Sequence, residues 1–257
     1  MGPIDTPHPP LTVEFRSGVE GDESYPGHRQ WGHRQWGRRQ YRCFDTDVVL
    51  VQIRCRCPTV HNVNQLSFFS AESLPPSVTD LSGLLASTGQ VASSAAGARI
   101  SVVVDREWRA EAIADLIVQC GLDAEIGRSE EGHPLVRTAS VPELSALASQ
   151  WTKGAVKAMP PGWVPGAREL RAWVLAAGRS EAEGERYVLG LDPQAPDTHA
   201  PLAQALMRAG IAPTLIGTRG AMPGLRITGR RRMLRLVENV GQPPENEDAR
   251  TNWPSAR

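Results

Sequence analysis

The sequence predicts an α+β fold in which one supersecondary plan is used twice, and three observations carry that prediction. Leu81-Ser82-Gly83-Leu84-Leu85-Ala86-Ser87-Thr88-Gly89 has a counterpart in Leu170-Arg171-Ala172-Trp173-Val174-Leu175-Ala176-Ala177-Gly178. Gly97 through Asp105 can be laid over Gly184 through Asp192, an offset of 87 (192 − 105), and Cys120-Gly121-Leu122 over Ala209-Gly210-Ile211. Ile126-Gly127 then falls on Ile216-Gly217, Leu135 and Thr138 on Leu225 and Thr228, and Leu144 and Leu147 on Leu234 and Val237, with the offset reaching 90 (225 − 135). So little drift over a whole module marks an internal repeat, and each copy tests the reading of the other.

The second copy is the clearer. Pro165-Gly166 precedes a helix over 167–177, with Leu170, Trp173, Val174 and Ala177 at i, i+3, i+4 and i+7 and Gly178 to close it. Between 186 and 192 the apolar Tyr187, Leu189 and Leu191 alternate with Arg186, Val188 and Gly190, as in a half-buried strand. Asp197 or Thr198 can cap a helix through Leu202, Leu206 and Met207 that Gly210 stops. Residues 214–219 and 224–229 flank Gly220-Ala221-Met222-Pro223 and read as a hairpin; residues 231–240 form a last helix with Leu234, Val237 and Val240 on one face.

The first copy gives the same order: a helix at 78–88, a strand at 99–105, a helix at 107–120, a hairpin at 123–138 and a helix at 141–151. A further short strand after each opening glycine is compatible with both copies. One conflict remains. Leu135 over Leu225 puts Arg137 where Ile227 turns inward, so either a bulge intervenes or the register slips by one.

These elements divide the chain into a low-complexity, disordered extension at 1–76, a first module at 77–152, a linker at 153–166, a second module at 167–243 and a disordered tail at 244–257. The extension repeats His28-Arg29-Gln30-Trp31-Gly32 as His33-Arg34-Gln35-Trp36-Gly37, and it lacks the apolar content to offset the entropy of ordering. Alternating arginine and tryptophan could stack on nucleic-acid bases. His28, His33, Cys43, Cys55 and Cys57 have no zinc-finger spacing. Module similarity begins at Val78, and translation is expected to start close to it; an N-terminal peptide from upstream of Ser70 would refute this.

Charge balances at 28 basic and 28 acidic residues, so no global field draws the chain to nucleic acid or membrane. The halves differ: residues 98–150 hold five basic and nine acidic side chains, residues 200–244 seven arginines and one glutamate. No apolar run reaches the roughly 20 residues of a membrane span, and a cytoplasmic location is expected. The repeats contain two histidines, His133 and His199, both read as surface residues, and no nucleophile elbow, phosphate loop or dinucleotide fingerprint. No cofactor is expected.

The two opening segments resemble the motif of the LAGLIDADG homing-endonuclease fold, and the resemblance extends over 78–243 in element order and repeat spacing. The shortened link Gly178–Tyr187 is closer to the non-cutting LAGLIDADG domain of WhiA-type bacterial regulators. The resemblance implies two modules whose opening helices pack side by side, with Gly83, Gly89, Ala172 and Gly178 as the small residues that let them approach, and four-stranded sheets forming a saddle over duplex DNA. It also implies metal-binding carboxylates before each final glycine. Here those positions are Thr88 and Ala177, which offer no hard oxygen ligand for Mg²⁺. The expectation is therefore a catalytically inactive DNA-binding protein, with a role in transcriptional regulation. Its expected DNA contacts are Arg219, Arg226, Thr228, Arg230, Arg231 and Arg232, in a lopsided interface because the first module is acidic. The alternatives are a protein-interaction module, self-association included, and a Mg²⁺-dependent endonuclease.

Overall fold

The computed structural model describes residues 70–218, 220 and 222–256. The histidine-tryptophan repeats, the candidate zinc ligands and Arg219 lie outside the described residues. In the first module a 3-10 turn at Val78–Leu81 runs into α1 (Ser82–Ala86), followed by β1 (Gln90–Ser94), β2 (Gly97–Val103), α2 (Glu107–Gln119), β3 (Ala124–Arg128), β4 (Pro134–Thr138) and α3 (Ser145–Trp151). A small hairpin, β5 (Thr152–Lys153) and β6 (Val156–Lys157), enters the linker. The second module comprises α4 (Ala167–Ala177), β7 (Gly178–Glu181), β8 (Arg186–Gly190), α5 (His199–Arg208), β9 (Thr214–Ile216), β10 (Gly224–Thr228) and α6 (Arg230–Val240), and α7 (Glu247–Asn252) follows. Both modules build a four-stranded antiparallel sheet of one order, β1-β2-β4-β3 and β7-β8-β10-β9.

Local sequence explains these elements. Ser77 and Asp80 form a capping box at the start of the first turn, with the Ser77 N–H donating to Asp80 Oδ2 at 2.9 Å. In β2, Ala98, Ile100 and Val102 are buried while Arg99 and Val103 stay exposed; in β8, Tyr187 and Leu189 turn inward. The helices cover those inward faces in one continuous core. α4 is central: Leu170, Ala172, Trp173, Val174 and Leu175 are all buried, and the Trp173 indole donates to Gly190 O at 2.9 Å. Thr198 does not cap α5 as expected, because its hydroxyl turns back to Ala195 O.

α1 and α4 touch at Gly83 and Ala172. A Cβ added at Gly83 would collide with Glu169 O and Ala172 Cβ, so only glycine permits this backbone approach. Gly89 and Gly178 do something else. Gly89 closes against Leu84 O of its own helix, and Gly178 against Val174 O and the Tyr187 ring.

The register conflict was a slip of one residue. Val136 pairs with Val102 as Leu225 pairs with Leu189, and the Val104 N–H reaches Pro134 O as the Leu191 N–H reaches Pro223 O. The offset is therefore 89 (225 − 136), and the Ile-Gly dipeptides at 126 and 216 are not equivalent. Arg137 corresponds to Arg226 and Thr138 to Ile227. The last helix lies where expected, but the same slip misread its inner face: Met233 and Leu236 are buried with Val240, and Leu234 is exposed. Thr138 at a core position is satisfied twice, accepting from the Ile100 N–H at 3.0 Å and donating to Ala139 O at 2.8 Å.

Both ends assigned to disorder are folded in part. Within the expected tail, Asn246 caps α7, Trp253 is buried and donates to Gly241 O at 2.8 Å, and Arg171 lies over its ring. Within the expected extension, Ala71 is buried and its carbonyl accepts from Arg168 at 3.0 Å, while Glu72 accepts from the Gln242 N–H. A hydrophobic residue at each site outweighed the polar composition around it.

Candidate nucleic-acid interface

Because one face of each sheet packs on helices, the alternate residues form a second face, open at its arginines although Val188 and Leu135 within it are buried. Cross-strand neighbours in the first module place Arg99 opposite Ala92, and Arg137 between Ser101 and Glu125. In the second, Arg186 lies between Glu181 and Thr228, and Arg226 between Val188 and Thr214. With the corrected register, Arg99 and Arg186 are equivalent, and so are Arg137 and Arg226. Arg99, Arg137 and Arg186 are exposed; Arg226 is about one-third exposed because Glu181 holds its Nε at 2.9 Å. Arg179 flanks the same carboxylate at 3.7 Å. Sequence reasoning found only Arg226 of this set. The missing signal was present in Gly97–Asp105 and Gly184–Asp192, which place arginine at the third position of both segments.

The remaining expected contacts are not all on that face. Thr228 ends β10 on the open side and is half-buried. Arg230, Arg231 and Arg232 belong to the first turn of α6, in the helical layer, where they line an open groove of about 1000 Å³ together with Arg235, Glu238, Met207 and Leu234. The Arg232 guanidinium donates back to Thr228 O at 3.4 Å. Three cations at a helix N-terminus oppose the helix dipole, a cost no local packing explains.

Between the open faces lies a second groove, of about 310 Å³, at the ends of the opening helices. Thr88 and Ala177 both line it, with Val103, Asp105, Arg109, Arg179 and Met222. At the end of α1, Lys157 Nζ donates to Ser87 O at 2.5 Å and Gly89 O at 2.8 Å and pairs with Asp192 at 3.0 Å. Asp192 also accepts from the Gln90 amide at 2.6 Å. Desolvation lowers the Lys157 pKa below its ordinary value, with the Asp192 charge pulling the other way. At the end of α4, Arg109 donates to Val174 O at 3.0 Å, Leu175 O at 2.8 Å and Gly178 O at 2.5 Å. Its Nε stands 2.9 Å from Asp105 Oδ1, off the N–H axis, as an ion pair.

A divalent metal of the kind the LAGLIDADG motif implies does not fit these helix ends. Thr88 and Ala177 supply no carboxylate, and the carbonyls and aspartates beside them are already engaged by an ammonium and a guanidinium. Among the described residues, no three His, Cys, Asp or Glu side chains group as metal ligands. His133 is exposed, but His199 is buried, contrary to expectation, with Nε2 at 2.7 Å from Asp192 O. No described helix is long and apolar enough to cross a membrane.

The repeated strand order and the Gly83–Ala172 helix contact are the layout that the motif implied. The fold is LAGLIDADG-like. No family model and no curated protein matches the chain. Among solved structures it is similar to the homing endonuclease I-WcaI bound to its DNA recognition sequence, with TM-score 0.48 and 10% identity over 63% of this chain and 78% of that one. It is also similar to full-length DUF199/WhiA from Thermatoga maritima, with TM-score 0.46 and 16% identity over 63% and 54% of the two chains. For the N-terminal LAGLIDADG domain of DUF199/WhiA the values are 0.45 and 13% over 72% and 96%. The chain spans about half of full-length WhiA. What those proteins bind is a property of theirs.

Proposed function

We propose that this protein binds duplex DNA across the open faces of both sheets and does not cut it by a metal-dependent route. The observation that supports this most is the pairing of Arg99 with Arg186 and of Arg137 with Arg226 at equivalent positions on two sheets of one strand order. Four guanidinium groups repeated in this way can engage phosphates from both modules, and each phosphate neutralised steepens the log–log salt dependence by roughly 0.9. The contact is expected to be more even than net charge implies, because each sheet face carries one glutamate beside an arginine, Glu125 by Arg137 and Glu181 by Arg226. Arg230, Arg231 and Arg232 flank this surface from the helical layer and add backbone contacts at one end. A regulatory role would follow from binding without cleavage.

Fluorescence anisotropy on a random duplex at two salt concentrations tests the reading. The wild type is expected to bind with strong salt dependence, and the Arg99/Arg137/Arg186/Arg226 quadruple alanine to lose it. No binding by the wild type at low salt overturns the proposal. Plasmid nicking that needs Mg²⁺ and stops with chelator overturns the inactivity. A second reading, a protein-interaction module, is favoured by the groove beside α6, where exposed Met207 and Leu234 lie among four arginines. An acidic partner or a second copy would suit it.

A further inference from the structure

The two opening helices end in a similar way. Backbone carbonyls at each C-terminus carry partial negative charge, and in both cases they converge on a cation that belongs to the chain. Each cation is paired with the aspartate that follows an equivalent strand, Asp105 after β2 and Asp192 after β8, and each aspartate comes from the module opposite the helix it serves. The α1 end is the more enclosed: the side chains of Lys157 and Asp192 are 9% and 4% exposed. A cavity of about 30 Å³, lined by Gln90, Trp151, Thr152 and Lys157, adjoins it and could hold one water-sized group. At the α4 end the Asp105 side chain is 69% exposed.

We propose that Lys157 is the resident cation of an oxygen-lined site at the end of α1, and that removing its amine turns this site into one for a hard divalent or trivalent ion. The donors are two backbone carbonyls, Ser87 O and Gly89 O, and the buried Asp192 carboxylate, with the Gln90 side chain beside them. All are of the class that Ca²⁺ and Mn²⁺ take. A buried carboxylate without a counter-charge is strongly unfavourable, so the vacated site has a drive to recruit a cation. The Arg109 site lacks that drive, because water solvates Asp105 when the guanidinium is gone. The Lys157 ammonium thus makes the joint between the modules independent of metal. The inference rests on the fold and not on DNA binding.

The test uses the full chain and terbium, whose emission Trp151 can sensitise from the adjoining cavity. Lys157→Ala is expected to bind one Tb³⁺ at least about tenfold more tightly than the wild type, and its unfolding temperature to rise with Ca²⁺ or Mn²⁺. Lys157→Ala/Asp192→Asn is expected to lose both responses, and Arg109→Ala to show neither. Folding of Lys157→Ala only when metal is supplied supports the inference. Equal Tb³⁺ binding by the wild type, no response from Lys157→Ala, a response that survives Asp192→Asn, or a Lys157→Ala chain that stays unfolded with metal each overturns it.

Discussion

The end of α1 and the end of α4 perform one task with different chemistry. At α1 a lysine from the linker and a buried aspartate close the site; at α4 an arginine from α2 spans three carbonyls while its aspartate stays in water. A guanidinium spreads five donors in a fixed plane and suits several carbonyls at once, whereas an ammonium is a compact point charge that fits a small enclosure. The two helix ends therefore share geometry more than residue identity. The sheets differ in the same manner, since Thr138 and Ile227 fill equivalent core positions, one by hydrogen bonding and the other by apolar contact.

The contrast is sharpest at the helix contact. Gly83→Val is expected to destabilise the protein by about 3 kcal/mol or more, because its side chain has no space against Glu169 O. Ala172→Gly, at the equivalent place in α4, should cost only about 1 kcal/mol through helix propensity. Chemical denaturation measures both, and a well-tolerated Gly83→Val would show that the helices do not meet there. The aspartates come next. Asp192→Asn leaves Lys157 buried without its counter-charge and should cost roughly 3–5 kcal/mol, against under about 1 kcal/mol for Asp105→Asn, whose carboxylate is solvated and whose buried partner Arg109 keeps three carbonyl acceptors. Equal losses would remove the distinction drawn between the helix ends. A smaller effect is expected in the sheets: Thr138→Val leaves the Ile100 N–H without a partner and should cost about 1–3 kcal/mol. Ile227→Val should cost roughly 0.5–1.5 kcal/mol by lost packing alone.

The element order, and with it the common strand order of the two sheets, was legible because glycine-ended helices and period-2 strands leave strong local marks. The arginine face was not, for one reason. An Ile-Gly coincidence drew the alignment one residue out of phase, and in a strand such a step exchanges the two faces, hiding Arg137 and misplacing Leu234. Lys157 and Asp192 could not be paired from sequence, since they lie 35 positions apart and meet only at a helix end supplied by the other module. Trp253 carried a usable signal, a large aromatic in a polar tail, whose partners Arg171 and Gly241 only the fold brings near.

The most direct test is the salt dependence of duplex binding in two double variants, Arg99→Ala/Arg137→Ala and Arg186→Ala/Arg226→Ala. If the modules are equivalent halves of one DNA surface, each pair lowers the log–log slope by the same amount, roughly 1.8 for two phosphate contacts. A loss confined to the second module, or a slope unchanged in both variants, would contradict the account.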